Sequence, residues 1–411
     1  MRLVYSILFL TCCNAFYAQQ ELQFSFEPIT EKYSVLELEV EGDIYSDVVE
    51  NSLTDRLLFG GGIDREDLLG MSENMDGSNL IGGWADARMR YRALTDPKVL
   101  KRPYSLMLEF GTASYGYSRF SKDVFHLGFL GNADRLGETL FGSNTVAETM
   151  LYQYAGLGIM NESTGSYASF NLINVQNYFR SEVTDLELFT AEDVSQIDLI
   201  YNGEVVLNDS LRGDFLSNSG TGAVLNARYN IQLREKKDLF SVELRNVGFS
   251  RLNDRARVLS SDSSFSFSGV NITEVLSSDN PLESLTLEDS IQVVRAQEAR
   301  TVAMPADLRA NYYHSINEAD YIAVGVRKRF FSFHNPELSV SYIHQETNKI
   351  GYTIGAVFGG YGKLRLNASV NYSHKNWRAF IATRNITGLM LDSAKGKSIS
   401  FGLARTFNSP E

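Results

Sequence analysis

Cysteine is scarce in this 411-residue chain, and its scarcity excludes two kinds of protein. The two cysteines, Cys12 and Cys13, are adjacent near the N-terminus. If the chain is cut after Ala18, the mature protein has no thiol. A disulfide scaffold and a cysteine-based metal site are then both excluded. We expect neither a metal nor a cofactor.

Proline and long apolar runs are also scarce. The chain has 7 prolines, which suits long uninterrupted strands. After residue 20 no apolar run reaches the length of a membrane-spanning helix, so a mature chain that crosses a membrane must do so as a closed β-barrel. The formal net charge of −12 argues against a nucleic-acid partner.

Residues 1–18 have the pattern of a secretory signal peptide. Arg2 supplies a positive charge, residues 3–10 are apolar, and the small residue Ala18 precedes the expected cut. We predict a signal peptide at 1–18 and a mature protein at 19–411. The alternative is a lipoprotein in which Cys12 or Cys13 becomes the acylated N-terminus.

The chain is rich in segments in which apolar and polar residues alternate. In KLRLNASVNYSH, residues 363–374, the apolar side chains fall on one face of an extended strand and the polar ones on the other. Such segments predict the following fourteen strands: Tyr33–Gly42, Gly82–Ala93, Tyr104–Tyr117, Thr149–Met160, Tyr167–Tyr178, Gly222–Leu233, Leu239–Phe249, Asp307–Ser315, Tyr321–Phe331, Glu337–Glu346, Gly351–Phe358, Lys363–Ser373, Trp377–Arg384 and Ser398–Phe407.

The connections between these strands alternate in length. Every second one is short, as in NESTGS and INEAD, while those at about 43–81, 118–148, 179–221 and 250–306 are long. Short periplasmic turns and long extracellular loops are typical of outer-membrane barrels. We therefore predict an all-β fold: a single transmembrane antiparallel barrel of about fourteen strands with that arrangement of loops.

The polar face of the strands is highly charged, and we predict that it lines the lumen. Asp86, Arg88, Arg90 and Arg92 share one face, opposite Met89 and its apolar neighbours. The same inner surface would carry Glu109, Arg228, Glu243, Arg245, Arg309, Arg327, Arg329, Lys363, Arg365, Arg378 and Arg384. The candidates for binding an anionic ligand are Arg88, Arg90, Arg92, Arg228, Arg245 and Arg365. The alternative is a charge network that fills the barrel, with Asp86, Glu109 and Glu243 as partners.

The histidines give no sign of a catalytic or metal site. The five histidines are scattered, and none has metal-ligand spacing. His344 is near Ser339 and Ser341 in sequence, but alternation points it away from both. We expect that the protein is not an enzyme and has no catalytic residues.

Three other segments invite interpretation. Residues 43–81, which include a predicted short helix at 64–71 with Asp64 as its N-cap, are a possible N-terminal plug or loop segment. The predicted loop 181–221 is acidic, and the predicted loop 251–300 is rich in serine and acidic residues; both are candidate surfaces for another envelope protein. Solvated or self-packed loops are the alternative.

Several stretches resemble an uncharacterised outer-membrane β-barrel family of Bacteroidetes-type bacteria. They are IDREDLLG (63–70), SKDVFHLGFLGN (121–132), RYNIQLREKKDLFSVELRNVGF (228–249) and RNITGLMLDSAKGKSISFGLARTF (384–407). The family is more remotely similar to long-chain fatty-acid transporters and to barrel proteins of type IX secretion. The resemblance implies a barrel in the cell outer membrane, in contact with lipid. The Asn-Pro-Ala segment of the fatty-acid transporters is absent near the mature N-terminus.

Two functions remain open at this level. The first is a passive conduit or binding barrel for small amphipathic or anionic molecules. The second is a non-transporting structural or assembly subunit of a cell-envelope or secretion complex.

Overall fold

The computed structural model describes residues 33–94, 104–208, 217–233, 238–267, 293–345 and 350–408. The predicted signal peptide and both cysteines lie outside these ranges, as do the connections at 95–103, 234–237 and 346–349 and residues 268–292 of the predicted 251–300 loop. None of the described helices is both long enough and apolar enough to cross a membrane.

Nineteen strands form one sheet. Fourteen of them make the barrel: β1 (Tyr33–Ser46), β2 (Asn79–Leu94), β3 (Tyr104–Phe120), β5 (Thr145–Asn161), β6 (Ser166–Thr190), β8 (Gly220–Leu233), β9 (Asp238–Leu252), β13 (Asp307–Ser315), β14 (Asp320–Arg329), β15 (Glu337–His344), β16 (Ile350–Gly359), β17 (Arg365–His374), β18 (Trp377–Thr383) and β19 (Gly396–Asn408). The other five are β4 (Thr139–Phe141), β7 (Ile197–Leu207), β10 (Arg257–Phe267), β11 (Val294–Gln297) and β12 (Thr301–Ala303).

The barrel closes because its first and last strands pair. Each barrel strand is antiparallel to its neighbours, and β1 pairs with both β2 and β19. The register of the closing pair runs from Tyr33 opposite Asn408 to Tyr45 opposite Gly396. Closure leaves no unpaired barrel edge. All fourteen predicted strands correspond to barrel strands, so the predicted all-β fold with a closed fourteen-stranded antiparallel barrel is confirmed; its place in a membrane stays a prediction.

The inner and outer faces of the strands are the ones that the alternation in the sequence predicts. Along β17 the side chains of Leu366 and Val370 are exposed on the outside, whereas Arg365, Asn367 and Ser369 are buried inside. The prediction for Lys363 was wrong. It precedes β17 in the connection from β16 and is exposed, because β17 begins only at Arg365.

The two ends of the barrel differ. We call the end that holds Tyr33 and Asn408 the turn rim; its described connections include the short segments 162–165, 316–319 and 375–376. We call the other end the loop rim. Its connections include 47–78, 121–144, 330–336, 360–364 and 384–395.

Helices gather at the loop rim. They are α1 (Asn51–Phe59), α2 (Arg65–Glu73), α3 (Lys122–Phe129) and α4 (Ile386–Met390). Leu53 of α1, Met71 of α2 and Phe125 of α3 belong to one buried apolar cluster. The predicted helix at 64–71 corresponds to α2, although Asp64 makes no side-chain cap hydrogen bond and instead pairs with Arg56 at 3.3 Å. A plug role for 43–81 stays a prediction.

Part of the sheet extends past the loop rim. The long strand β6 pairs with β5 and β8 in the barrel, and its second half, from Phe179 to Thr190, pairs with β7. Strand β10 then pairs with β7, and β11 pairs with β10. We call β7, β10, β11 and the second half of β6 the sheet extension. It contains most of the described residues of the predicted loops 181–221 and 251–300.

Candidate functional site in the barrel lumen

The inner faces of β1, β2 and β3 place opposite charges side by side. Arg90 lies between Glu37 on β1 and Glu109 on β3 in the strand register. Its Nη2 donates to Glu109 Oε1 at 2.7 Å, and its Nη1 donates to Glu37 Oε2 at 3.3 Å. Because same-face residues recur every second position, the alternation of β1 and β2 produces a ladder of ion pairs.

This ladder is the centre of a group of residues that we call the acid-rich wall. Arg88 Nη2 donates to Glu39 at 2.8 Å, and Arg92 Nη1 donates to Glu162 Oε1 at 2.8 Å. Arg245 Nη2 reaches Asp86 at 3.1 Å. The members that the ion pairs join are Glu37, Glu39, Glu41, Asp86, Arg88, Arg90, Arg92, Glu109, Glu162, Arg228, Glu243 and Arg245.

A second group, which we call the arginine-rich wall, lies mainly on β13 to β18. Glu337 accepts from Arg365 Nη2 at 2.6 Å and also pairs with Arg384. Arg329 Nη2 donates to Asp43 at 2.8 Å. The members are Asp43, Asp307, Arg309, Arg327, Arg329, Glu337, Arg365 and Arg384.

The two walls have opposite charge balances. Within the described lumen, the acid-rich wall has seven carboxylates and five arginines. The arginine-rich wall has three carboxylates and five arginines. Together they are neutral. An electric field therefore points across the lumen from one wall to the other, and low-dielectric surroundings strengthen it.

A cavity of about 120 Å³ lies between the walls. Its lining includes Glu41 and Arg245 from the acid-rich wall and Arg309 and Arg384 from the arginine-rich wall. A polar cavity of this size has room for roughly ten water molecules. Several buried polar atoms around it, such as Glu41 Oε1 and Asn367 Oδ1, have no hydrogen-bond partner among the described residues. Such atoms favour water or a polar ligand there.

Toward the loop rim the lumen becomes aromatic. Trp84 stacks on Tyr115, with ring centroids 6.3 Å apart, and Tyr115 stacks on Tyr117 at 6.4 Å. Phe333, from the connection between β14 and β15, packs edge-on against Tyr117 at 5.5 Å. We call these residues, with Tyr361, the aromatic layer. Trp84, Tyr115, Tyr117 and Tyr361 belong to one buried cluster, and Phe333 packs against it.

His334 follows Phe333 and is buried beside Tyr361, with ring centroids 5.0 Å apart. Burial and, next, the guanidinium groups of Arg329 and Arg327 lower the pKa of its imidazole to about 2, and the opposing effect of Asp307 and Asp43 is smaller. Its Nδ1 lies 3.5 Å from the backbone nitrogen of Arg329, in a position to accept its hydrogen. The ring is therefore neutral.

The structure places five of the six predicted ligand residues around the cavity, and Arg365 is not among the residues that line it. Arg88, Arg90, Arg92, Arg228 and Arg245 lie on the acid-rich wall and line the cavity. Arg365 lies on the opposite wall, with its guanidinium 4.1 Å above the ring of Tyr45. Their role in binding an anion stays a prediction, and the carboxylates around the first five favour the alternative of a charge network.

Sequence reasoning missed several carboxylates. Glu37, Glu39 and Glu41 alternate with apolar residues in LELEVEG at 36–42, so their place on the inner face was readable from the sequence. Glu337 was also readable, because it opens the alternating segment ELSVSY at 337–342. Glu162 lies in a turn and gave no such signal. Only the pairing of distant strands brings arginines to the two carboxylates.

The structure supports no hydrolytic dyad at His344. Ser341 is buried on the inner face, whereas His344 hydrogen-bonds through Nδ1 to Asp320 at 2.8 Å, as the predicted alternation requires. Among the described residues no group of histidine, cysteine and acidic side chains is arranged to hold a metal ion.

Comparison with known proteins gives similarity of structure only. No protein-family model matches the chain, and no curated protein is similar to it in sequence. The toluene transporter TodX of P. putida is 11% identical over 97% of this chain and 96% of its own, with a TM-score of 0.41. A FadL homologue of Pseudomonas aeruginosa is 9% identical over 96% and 95%, with a TM-score of 0.38.

A different kind of barrel is also similar. The translocator domain of the autotransporter NalP from Neisseria meningitidis is 10% identical over 92% of this chain and 89% of its own, with a TM-score of 0.30. The chain is thus remotely similar to outer-membrane transporter barrels and to translocator barrels. Similarity at this level does not extend to ligands or partners.

Proposed function

We propose that the protein is an outer-membrane β-barrel that acts as a narrow conduit or binding barrel for small charged molecules. The observation that carries the proposal is the polar cavity between two walls of opposite charge balance. A barrel that served only as a scaffold would gain stability from an apolar filling, because buried ion pairs are often no more stabilising than well-packed hydrophobic residues. A polar lumen instead provides an environment for a polar solute.

The outer surface supports a place in a lipid bilayer. Large apolar side chains are exposed around the barrel, among them Leu106, Leu157, Leu225, Leu338 and Ile354. A soluble protein rarely exposes so continuous an apolar surface. Near the turn rim, aromatic side chains such as Tyr372 and Trp377 are also exposed, in the manner of the aromatic belt of membrane proteins.

Conductance of the purified protein in a planar bilayer tests the proposal. Ser339 lines the cavity, whereas the side chain of its neighbour Val340 is exposed on the outer surface. We expect small ionic conductance from the wild type, a clear loss for Ser339→Trp, and no change for Val340→Trp. The two variants differ only in the face that receives the added bulk.

Folding of both variants is checked by the resistance of the barrel to unfolding in detergent. Absence of conductance in the folded wild type at every voltage, or equal conductance for two folded tryptophan variants, contradicts a conduit through this lumen.

The sheet extension favours a second candidate function, a subunit that binds another envelope protein. Strand β11 pairs with β10, and the side chains of its four residues are all exposed. Strand edges of this kind can pair with a partner chain. Purification in mild detergent would recover a second protein with the wild type, and a variant trimmed in 251–300 would lose it. Recovery of the wild-type barrel alone would count against this function.

A further inference from the structure

The charge imbalance of each wall can be traced to small clusters of ion pairs. In the arginine-rich wall, Arg365 and Arg384 share Glu337, and the other cluster joins Arg309, Arg327 and Arg329 through Asp307 and Asp43. Among the described residues, each cluster has one more arginine than carboxylates. Each therefore has a net positive charge.

The acid-rich wall has the opposite pattern. Arg245 is shared by Glu41 and Asp86, and a second cluster joins Arg90 and Arg92 to Glu37, Glu109 and Glu162. Each of these clusters has one carboxylate more than arginines within the described residues. Each therefore has a net negative charge.

The positive and negative clusters come close together along β1. Glu41 belongs to a negative cluster and Asp43 to a positive one, and both side chains face the lumen. Two residues on the same face of a strand are about 7 Å apart. Glu41 is 6% exposed, and its Oε1 lies 3.6 Å from Arg245 Nη1 without a hydrogen bond. This carboxylate oxygen is buried and has no hydrogen-bond donor among the described residues.

We propose that the lumen cavity binds a small zwitterion, with its anionic group against Arg309 and Arg384 and its ammonium group against Glu41. This inference rests on the proposed function and specifies the class of molecule. A guanidinium pairs with a carboxylate through two parallel hydrogen bonds, and an ammonium donates up to three. A simple anion would leave the net negative charge of the acid-rich wall without a partner. A simple cation would leave the net positive charge of the arginine-rich wall without one.

The size of the cavity limits the ligand. Space for roughly ten waters corresponds to a molecule of about ten non-hydrogen atoms at most. A short ω-amino acid fits this limit and carries one charge at each end. A long-chain fatty acid does not fit the cavity as described.

Calorimetric titration of the detergent-solubilised protein tests the class of ligand directly. The probe is 4-aminobutyrate, and its matched controls are butyrate and butylammonium, which each keep one of the two charges. We expect the zwitterion to bind at least about tenfold more tightly than either control, since a hydrogen bond to a charged group contributes about that factor or more. Equal binding of a singly charged control, or no binding of 4-aminobutyrate at millimolar concentration, overturns the inference.

Two substitutions test the assigned walls without leaving a charge unpaired. Arg384→Gln leaves Glu337 paired with Arg365, and Glu41→Gln leaves Asp86 paired with Arg245. Each should weaken binding of 4-aminobutyrate about tenfold or more. The controls Lys363→Gln and Glu318→Gln remove the same charges at exposed positions and should leave binding unchanged. Unchanged binding in folded lumen variants overturns the assignment.

The failure of this inference can be told apart from the failure of the proposed conduit. Conductance without preferential binding of 4-aminobutyrate keeps the conduit and overturns the zwitterion site. Binding without conductance keeps the site and makes the protein a binding barrel. The wild-type comparison of the three probes decides the question even if a lumen variant does not fold.

Discussion

Glu337→Gln should be among the most destabilising single-atom changes in this barrel. The carboxylate is 3% exposed, and its two oxygens pair separately with Arg365 and Arg384. The amide that replaces it has one acceptor oxygen and no charge. Two guanidinium groups, themselves 3% and 14% exposed, would lose the one carboxylate they share among the described residues.

The expected loss of unfolding free energy is about 3–5 kcal/mol, the usual effect of removing one partner from a buried ion pair. That loss changes the folding equilibrium by two to nearly four powers of ten. Arg384→Gln is the matched comparison, because it leaves Glu337 and Arg365 as a balanced pair. It should lower the unfolding free energy by no more than about 1 kcal/mol.

Urea titration in detergent micelles measures both variants. The chain has two tryptophans, of which Trp84 is buried in the aromatic layer and Trp377 is exposed on the outer surface. Loss of the Trp84 emission therefore reports the opening of the lumen, and a Trp377→Phe background isolates that signal. If Glu337→Gln and Arg384→Gln unfold at the same urea concentration, the lumen arginines are solvated by water and the reasoning from buried ion pairs is wrong.

Three further predictions concern other parts of the barrel. The pKa of His334, about 2 in the folded protein, lies well below the ordinary value of about 6.5. As pH falls below about 6.5 the open state takes up the proton, which destabilises the 330–336 connection by up to about 1.4 kcal/mol per pH unit. The protection factors of the amides there, which are exchange rates corrected for the intrinsic pH dependence, should fall from about pH 7 to about pH 5 in the wild type but not in His334→Gln; equal pH dependence of the protection factors would contradict this. Val370→Arg places a charge on the outer face near the middle of β17 and should destabilise the barrel by about 2–4 kcal/mol in a urea titration of protein embedded in phospholipid vesicles, whereas Lys363→Glu at an exposed position should change little; similar effects would argue against lipid contact. Gly402→Ala would place Cβ 1.8 Å from Cε1 of Phe380, so we expect a loss of about 1–3 kcal/mol that Phe380→Leu in the same chain partly restores; a neutral Gly402→Ala would show that the ring moves freely.

The strands and their faces were predictable because the signal is local. The alternation from Asp86 to Arg92 fixes which side chains share a face, whatever strand lies beside them. The same signal was present at Glu37, Glu39 and Glu41 but went unused. Lys363 shows the limit of the method, because alternation continues past the point where the backbone leaves the sheet.

The ion-pair partners were not predictable in the same way. Arg92 pairs with Glu162, and Arg329 pairs with Asp43, across 70 and 286 positions of the sequence. The contact between the rings of Phe333 and Tyr117 also joins residues that are far apart in the sequence. Each of these contacts depends on which strands become neighbours and on how the connections at the loop rim pack.

The amino-acid sequence by itself determined that this protein is a closed barrel with an apolar outside and a charged inside. The reason is that the alternation of apolar and polar residues is a local property of each strand, and that no apolar run is long enough for a membrane-spanning helix. Only the tertiary structure decided how the charges balance. Closure of β1 onto β19 fixes the register of the whole sheet, and the register divides the carboxylates and arginines into two walls of opposite net charge. Electrostatic balance depends on distances between residues far apart in the chain, and those distances exist only once the barrel is closed.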